Sequence, residues 1–218
     1  MAIATIAPTI LSNNPTEYKE IVKRYYPFVK RAHIDISDGT LAPESGVTIN
    51  ETAVWWPKGW NVDIHMMTAE PSKHLDNLIK LHPNMVIFHA EAKDDLLPIF
   101  DTIKQNGMKV GVAIVKGIYP PSIKTILEQA DHAMIFSGDL GKYGGEADLL
   151  LLEKVPLIKE IHTNIEIGWD GGANIETTRQ IVHGGVTCIN VGSAISKAED
   201  PKAAYDALMK ETEEEDPI

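Results

Sequence analysis

The chain has 218 residues, of which 44% are hydrophobic and 23% are charged, and its formal net charge at pH 7 is -11. This composition is typical of a globular protein, and a single α/β barrel of roughly 200–250 residues would account for the whole length. The negative charge argues against a nucleic-acid partner, because phosphate binding by bulk electrostatics needs a basic face. Runs of about 18 apolar residues are absent, so the sequence predicts no membrane span.

The cysteine content and the first residues predict a cytoplasmic protein. Cys188 is the single cysteine, which excludes an internal disulfide and a zinc site built on paired cysteines. The segment MAIATIAPTIL lacks a basic region before its apolar run, and we interpret it as a strand and not a signal peptide. The acidic end of the chain is expected to fray from about residue 210.

Eight short β-rich runs alternate with longer helical segments. The predicted strands, in chain order, are ATIAP, AHIDIS, NVDIHMM, NMVIFHA, MKVGVAIV, HAMIFSG, NIEIGWD and VTCINVG. The helical segments between them include PTEYKEIVKRYYPFV, EPSKHLDNLIKLH, AKDDLLPIFDTIKQNG, PSIKTILEQA, ADLLLLEKVPLIKEIH and NIETTRQIVHGG. Strands separated by helices imply parallel pairing with right-handed crossovers. Eight such units predict an α/β fold with one (β/α)8 TIM barrel over residues 1–218. A doubly wound sheet is the alternative, but its GxGxxG turn and its phosphate loop are absent.

Histidine or aspartate stands at the end of four of these apolar runs. The residues are His33 and Asp35 in AHIDIS, His65 in VDIHMM, His89 in IFHAEA and Asp170 in EIGWDGG. In a barrel, the carboxyl ends of the strands meet on one face, where the active site lies. Imidazole and carboxylate groups bind divalent metals and transfer protons, so convergence of these side chains would form a catalytic site.

The motifs and their order resemble the ribulose-phosphate 3-epimerase family, whose members are phosphate-binding (β/α)8 barrels that epimerise a ketose phosphate. The family pattern HxDxMDGxFxPN is present as HIDISDGTLAPE, DxHxM as DIHMM, HxE as HAE, and the patterns xDGG and GSAI as WDGG and GSAI. The resemblance extends from APTILS to GSAISKAEDP, nearly the whole chain. It rests on the shared order, with each motif at the end of the expected strand.

This resemblance implies a metal site and two proton-transfer groups. The implied ligands are His33, Asp35, His65 and Asp170, a set that suits one divalent ion of Zn, Fe, Mn or Co. Asp35 and Asp170 are the implied catalytic carboxylates. One would remove the C3 proton and the other would deliver a proton to the opposite face of a metal-stabilised enediolate. Residues 33 and 35 are two apart on one strand and therefore point to the same side.

Glycine-rich turns near the end of the chain predict the phosphate site. The segments DGGAN and GSAI follow strands 7 and 8, and GKYGGEA after strand 6 resembles the family's flexible PGFGGQ loop. Backbone N–H groups at these positions often bind phosphate in such barrels, although glycine is also usual in tight turns. The residues assigned to substrate binding here are Gly144, Gly145, Gly171, Gly172, Gly192 and Ser193.

Several positions near the expected pocket differ from the family pattern. Ser37 and Phe136 stand where the family has methionine, the loop after strand 6 gains Lys142, and Met67 remains from the family's apolar floor. Thr9 replaces a serine; its hydroxyl could bind a substrate hydroxyl or form a local turn. These differences leave the choice of sugar open.

The other histidines are assigned lesser roles. His89 could support a metal ligand or could simply be packed at the mouth of strand 4, and Glu91 is equally open. The remaining histidines are expected to face solvent: His74, His82, His132, His162 and His183.

The favoured function is an isomerase that converts D-ribulose 5-phosphate to D-xylulose 5-phosphate. A 3-epimerase of a hexulose 6-phosphate such as D-allulose 6-phosphate, or a non-catalytic sugar-phosphate-binding barrel, is the alternative. Related barrel decarboxylases and aldol synthases would need DxKxxD, which does not occur in the chain. The expected partner is a small ketose phosphate, with no nucleic acid and no membrane, and the family resemblance implies a homo-oligomer.

Overall fold

Eight parallel strands close into a barrel in the computed structural model, which describes residues 4–142 and 144–213. The strands are β1 Thr5–Ile10, β2 Arg31–Ser37, β3 Asn61–Met67, β4 Met85–His89, β5 Lys109–Val115, β6 His132–Phe136, β7 Glu166–Asp170 and β8 Cys188–Val191. Each strand pairs in parallel with the next, and β8 pairs with β1 to complete the ring. The predicted TIM barrel is confirmed.

Helices surround the barrel on its outer side. They are α1 Pro15–Tyr25, α2 Ile49–Val54, α3 Leu75–Leu81, α4 Leu96–Gln105, α5 Lys124–Gln129, α6 Lys154–Ile161, α7 Thr178–His183, α8 Ser193–Ser196 and α9 Pro201–Glu213. Short 3-10 turns at Pro71–His74, Pro120–Ile123 and Leu149–Glu153 lead into α3, α5 and α6. Among the described residues, none of the helices has the length and apolar character needed to cross a bilayer.

Two of these helices differ from the sequence expectation. Helix α2 was not predicted, although Thr48 and Glu51 form a capping box at its start, in which each side chain accepts a bond from the other residue's backbone N–H. Helix α9 continues to Glu213, and Thr212 on it is buried, so the chain is helical beyond residue 210, where fraying was expected. Residues 214–218 lie outside the described part of the chain.

Alternation along each strand separates an outer core from the barrel interior. In β4, Val86 and Phe88 pack outwards against the helices in the main apolar cluster. Met85 and Ile87, which alternate with them, belong to a second cluster with residues of β5 and β6. Side chains two residues apart share one face of a strand. His89 therefore points into the barrel above Ile87.

A charged network fills the amino-terminal end of the barrel. The Arg31 guanidinium donates two hydrogen bonds of 2.7 Å to the Glu166 carboxylate and one of 2.6 Å to Asp63. His132 Nδ1 lies 2.7 Å from Glu166 Oε2. The prediction that His132 faces solvent is wrong, since the residue is 1% exposed. It is buried because β6 directs it into the barrel, where Glu166 supplies a polar partner.

Candidate active site

The strand register brings the predicted site residues to one end of the barrel. Asp35 on β2 is the direct partner of His65 on β3, and Thr9 on β1 is the partner of His33 on β2. Asp170 is the last residue of β7. Thr9, Asp35, His65 and Asp170 lie in the carboxyl-terminal halves of their strands, and His33 lies two residues before Asp35 on the same face of β2. The barrel therefore converts residues distant in sequence into one cluster.

His33, Asp35, His65 and Asp170 form this cluster, with one ligand atom from each lying within 4.8 Å of the others. His33 Nε2 is 3.3 Å from Asp35 Oδ1 and 3.4 Å from Asp170 Oδ2. His65 Nδ1 is 2.9 Å from Asp35 Oδ1 and 3.9 Å from Asp170 Oδ2. The two imidazoles are buried, while the aspartate side chains are 10% and 13% exposed. Only the carboxylates therefore reach the solvent-facing side of the cluster.

The electrostatics of the cluster favour the ionised form of Asp35. Burial alone would lower the pKa of His33, but contact with Asp170 and Asp35 raises it to about 10. Burial opposes ionisation of Asp35, yet the close contacts and positive potential of His33 and His65 hold its pKa below the ordinary range. Burial is the main reason why the pKa of His65 is lowered.

The same four residues fit a divalent cation. Two imidazole nitrogens and two carboxylates are ligands that first-row divalent metals accept, and they leave coordination positions open. Both ring nitrogens of His33 are buried, and neither makes a hydrogen bond of good geometry to a described residue. A buried nitrogen without such a partner is costly unless something binds it. The cluster is thus a buried His/Asp site suited to a metal.

A cavity opens directly above the cluster at the carboxyl-terminal end of the barrel. Asp35 and Asp170 form part of its floor. The residues that the sequence assigned to substrate binding and that line it are Thr9, Met67, Gly144, Gly171, Gly172, Gly192 and Ser193. Gly145 is exposed and does not belong to this lining.

Two of the lining glycines are required by backbone geometry. Gly171 has φ of 110°, and a Cβ atom there would lie 2.2 Å from the backbone nitrogen of Gly138. Gly172 has φ of 72°, and its Cβ would lie 2.2 Å from the backbone nitrogen of Ala147. Residues with a side chain rarely adopt these positive φ angles, and a side chain would not fit at either position. These glycines let the β6 and β7 loops touch at the rim of the cavity.

His65 is connected to two further residues behind the cluster. Its Nε2 atom lies 2.7 Å from His89 Nε2, and His89 Nδ1 lies 3.2 Å from Glu91 Oε1. His89 is 0% exposed, whereas Glu91 is half-buried. Burial would raise the pKa of Glu91, but the hydrogen bond from His89 lowers it below the ordinary value. His89 thus contacts a predicted ligand and does not itself belong to the four-residue cluster.

Asn190 is a cavity residue that the sequence argument missed. It is 3% exposed, pairs with Asp170 in the β7–β8 register, and lines the cavity. Its Nδ2 group donates to Met134 Sδ at 3.2 Å. The available signal was a lone amide within the apolar run VTCINVG, two residues before Gly192.

Comparison with known proteins agrees with this geometry. A sequence profile described as the Ribulose-phosphate 3 epimerase family matches residues 5–196. The chain belongs to this family. Ribulose-phosphate 3-epimerase of Mycobacterium leprae (strain TN) is 29% identical over 184 residues, covering 82% of each chain. The cytoplasmic isoform of ribulose-phosphate 3-epimerase from Oryza sativa subsp. japonica is 27% identical, covering 97% of this chain and 96% of the rice protein.

A solved structure supports the fold alone. The 3-hexulose-6-phosphate synthase of Salmonella typhimurium superposes with a TM-score of 0.72 and 18% identity, over 95% of this chain and 98% of that protein. At this identity, the likeness extends to the barrel and not to the chemistry. Membership of the epimerase family makes the present protein an isomerase.

The departures from the epimerase family pattern fall at different places around the cavity. The Phe136 ring lines it and lies 5.8 Å from the His65 ring and 5.9 Å from the His89 ring. Lys142 also lines the cavity. Ser37 does not: its hydroxyl donates to the Glu44 carbonyl at 2.7 Å, and it borders an adjacent pocket. The expectation that Ser37 shapes the cavity is therefore wrong.

Proposed function

We propose that this member of the epimerase family inverts C3 of D-ribulose 5-phosphate to give D-xylulose 5-phosphate. One observation carries the proposal: His33, Asp35, His65 and Asp170 offer four ligand atoms within 4.8 Å of one another. The two aspartates of this set lie at the floor of the cavity. A non-catalytic sugar-phosphate binder would not require two carboxylates at that depth, since buried charges are costly.

Asp35 and Asp170 are proposed as the two proton-transfer groups. They lie on β2 and β7, and both approach His33 Nε2, at 3.3 and 3.4 Å. Inversion at carbon needs a base on one face and an acid on the other, with the roles exchanged in the reverse direction. Two carboxylates contributed by separate strands can meet a flat intermediate from both sides.

One divalent ion of Zn, Fe, Mn or Co is proposed to bind to His33, His65 and these two aspartates. When bound, such an ion would supply positive charge that stabilises an enediolate as the C3 proton leaves. Burial of both imidazoles keeps their nitrogens fixed, so the protein needs little reorganisation to hold the charge.

The substrate phosphate is proposed to lie at the glycine-rich rim. Backbone N–H groups of Gly171, Gly172, Gly192 and Ser193 are candidates to bind it, because they line the same cavity as the carboxylates. Lys142 is the one cationic side chain among the described residues of this lining. An anionic substrate entering a cavity with aspartates on its floor would gain from that charge.

A hexulose 6-phosphate such as D-allulose 6-phosphate is the second candidate substrate. Phe136 in place of the family's methionine, and Lys142 in a longer loop, both line the cavity where the sugar would lie. A changed side chain at the wall alters which sugar fits without changing the proton-transfer groups.

Solvent deuterium incorporation tests the proposal directly. Purified protein is incubated in D2O with a panel of pentulose and hexulose phosphates, and label at C3 is followed by NMR. We expect label to enter D-ribulose 5-phosphate fastest. Faster labelling of a hexulose 6-phosphate would move the assignment to the second candidate. No labelling of any sugar phosphate by metal-loaded protein would refute the epimerase mechanism.

The protein is also proposed to be cytoplasmic and to form a homo-oligomer. The first is supported by Cys188, which is a buried free thiol. The second follows from family resemblance. Cell fractionation tests the location, and sedimentation equilibrium of the purified chain tests the assembly.

A further inference from the structure

Glu91 is the last residue in a hydrogen-bonded series of side chains that starts at the proposed metal cluster. His65 Nδ1 faces Asp35, while His65 Nε2 lies 2.7 Å from His89 Nε2. His89 Nδ1 then lies 3.2 Å from Glu91 Oε1. The two imidazoles are 0% exposed, so water does not compete for these contacts. The rings of His65 and His89 also stack, with centroids 4.8 Å apart.

The positions of the protons on His65 and His89 depend on Glu91. Two ring nitrogens 2.7 Å apart share one proton, so one of them donates and the other accepts. An ionised carboxylate only accepts, and Glu91 therefore requires a proton on His89 Nδ1. A neutral His89 then has a lone pair on Nε2, which must accept from His65. Once a cation replaces the proton between His65 Nδ1 and Asp35, His65 consequently carries its proton on Nε2 and presents a lone pair on Nδ1.

Without Glu91 the opposite arrangement becomes available. His89 could keep its proton on Nε2 and donate it to His65, whose own proton would then lie on Nδ1. That proton would point at Asp35 Oδ1, 2.9 Å away, and would occupy the nitrogen that belongs to the cluster. A nitrogen that carries a proton cannot bind a cation. The presence of a carboxylate at Glu91 thus favours the form of His65 that can be a metal ligand.

Glu91 is also poorly satisfied for a purely structural residue. Its Oε2 atom is buried and has no hydrogen-bond partner among the described residues. Leaving a buried carboxylate oxygen without a partner costs stability. Retaining the charge at this position is therefore better explained by its effect on His89 than by its contribution to folding.

We propose that Glu91 is a positioning residue, which acts through His89 to favour, when metal binds, the form of His65 that carries its proton on Nε2 and offers Nδ1 to a divalent cation. The inference rests on the metal site of the proposed function. It assigns Glu91 no contact with the substrate. Carboxylate–histidine pairs behind a metal ligand commonly change metal affinity about 10–100-fold when they are removed.

The test compares Co²⁺ binding by the metal-free full chain and two variants, without any sugar present. Glu91→Leu removes the acceptor, and Glu91→Gln keeps the shape but offers an amide that can either donate or accept. By calorimetry, we expect the Co²⁺ Kd to rise about 10–100-fold for Glu91→Leu and by a smaller factor for Glu91→Gln. Glu44→Gln removes an exposed carboxylate at the same end of the barrel and should keep Kd within about twofold.

Two further readouts separate positioning from structural damage. The Tm of the metal-free Glu91 variants should fall by no more than about 2–4 °C, because Glu91 is half-buried and makes one side-chain hydrogen bond, to His89. Long-range ¹H–¹⁵N NMR of the native protein loaded with Zn²⁺ should show His65 protonated on Nε2 and His89 protonated on Nδ1. Unchanged Co²⁺ affinity in Glu91→Leu, a proton on His89 Nε2 in the Zn²⁺-loaded native protein, or an affinity loss accompanied by a large fall in Tm would overturn the inference.

These outcomes are independent of the reaction. Native protein that binds Co²⁺ yet labels no sugar phosphate in D2O would refute the proposed epimerisation and leave the role of Glu91 intact. Native protein that labels a sugar but binds no Co²⁺ would overturn the role of Glu91 and leave epimerisation standing.

Discussion

Asp35 and His65 are register partners on adjacent strands, and Asp35 Oδ1 lies 2.9 Å from His65 Nδ1. The carboxylate is therefore fixed from the side by an imidazole while its other face borders the cavity. A group held in this way can exchange a proton with a substrate without moving far.

Asp35→Asn and Asp170→Asn should each abolish epimerisation while the barrel stays folded. Asparagine keeps the shape of aspartate but cannot take a proton, and general acid–base groups contribute about 10²–10⁴-fold to a rate. The kcat for D-ribulose 5-phosphate should fall by at least about 100-fold, with an unchanged circular dichroism spectrum. Asp148→Asn, in the loop after β6, removes a carboxylate that pairs with exposed Lys116 and should retain native kcat. Near-native turnover in either site variant would refute the two-base mechanism.

Divalent metal should govern both activity and stability. Thorough chelation should remove turnover, and Zn²⁺, Fe²⁺, Mn²⁺ or Co²⁺ should restore it. A ligand that binds only the folded state adds about 2.7 kcal/mol at a concentration of 100 times its Kd, so Tm should rise by several degrees. The variant His33→Asn lacks one proposed ligand and should lose this increment. Activity that is indifferent to chelation and to added metal would contradict the His/Asp site.

Sequence predicted the parts of the site that depend on local spacing. His33 and Asp35 alternate with apolar residues on one strand, so their common direction follows from the strand period alone. Contacts between distant segments could not be predicted in this way. His132 is buried because Glu166, which lies 34 residues further along the chain, reaches its ring. Ser37 does not line the cavity, because its hydroxyl donates a hydrogen bond to the carbonyl of Glu44 in the following loop.

Lys142→Met should weaken binding of the phosphorylated substrate with little effect on turnover. The side chain lines the cavity, and its pairing with Asp139 at 3.3 Å is exposed to solvent and therefore weak, so an incoming anion can replace Asp139 as its partner. Loss of one charge-assisted contact worth about 1.4 kcal/mol corresponds to about a tenfold rise in KM. Steady-state kinetics should show this rise for D-ribulose 5-phosphate, with kcat kept within about twofold.

The matched control for this prediction is Lys116→Met. Lys116 is an exposed lysine at the same end of the barrel, is paired with Asp148, and does not line the cavity. Its removal should leave KM unchanged. Equal KM values for native protein and Lys142→Met would show that the backbone N–H groups bind the phosphate without help from this lysine. Equal kcat/KM for phosphorylated and unphosphorylated ketose would refute the phosphate site as a whole.

Glu166→Gln should reduce stability and flatten its dependence on acid pH. Burial would raise the pKa of Glu166, but hydrogen bonds from Arg31 and His132 hold it well below the ordinary value of 4.5. Because the folded pKa is the lower one, the stabilisation is complete above about pH 4.5 and is lost as pH falls towards the folded pKa. Removing one member of a fully buried ion pair costs about 3–5 kcal/mol, and we expect about 2 kcal/mol here because the side chain is 34% exposed.

Urea unfolding at pH 7 and at a series of values below pH 5 measures this effect. The native protein should lose stability steeply on acidification, whereas Glu166→Gln should start lower and change less, so that the two curves converge. Glu160→Gln, a substitution on α6 outside this network, should run parallel to the native curve. Parallel curves for native protein and Glu166→Gln would mean that Arg31 is adequately paired by Asp63 alone, and that the bond between β2 and β7 does not stabilise the closed end of the barrel.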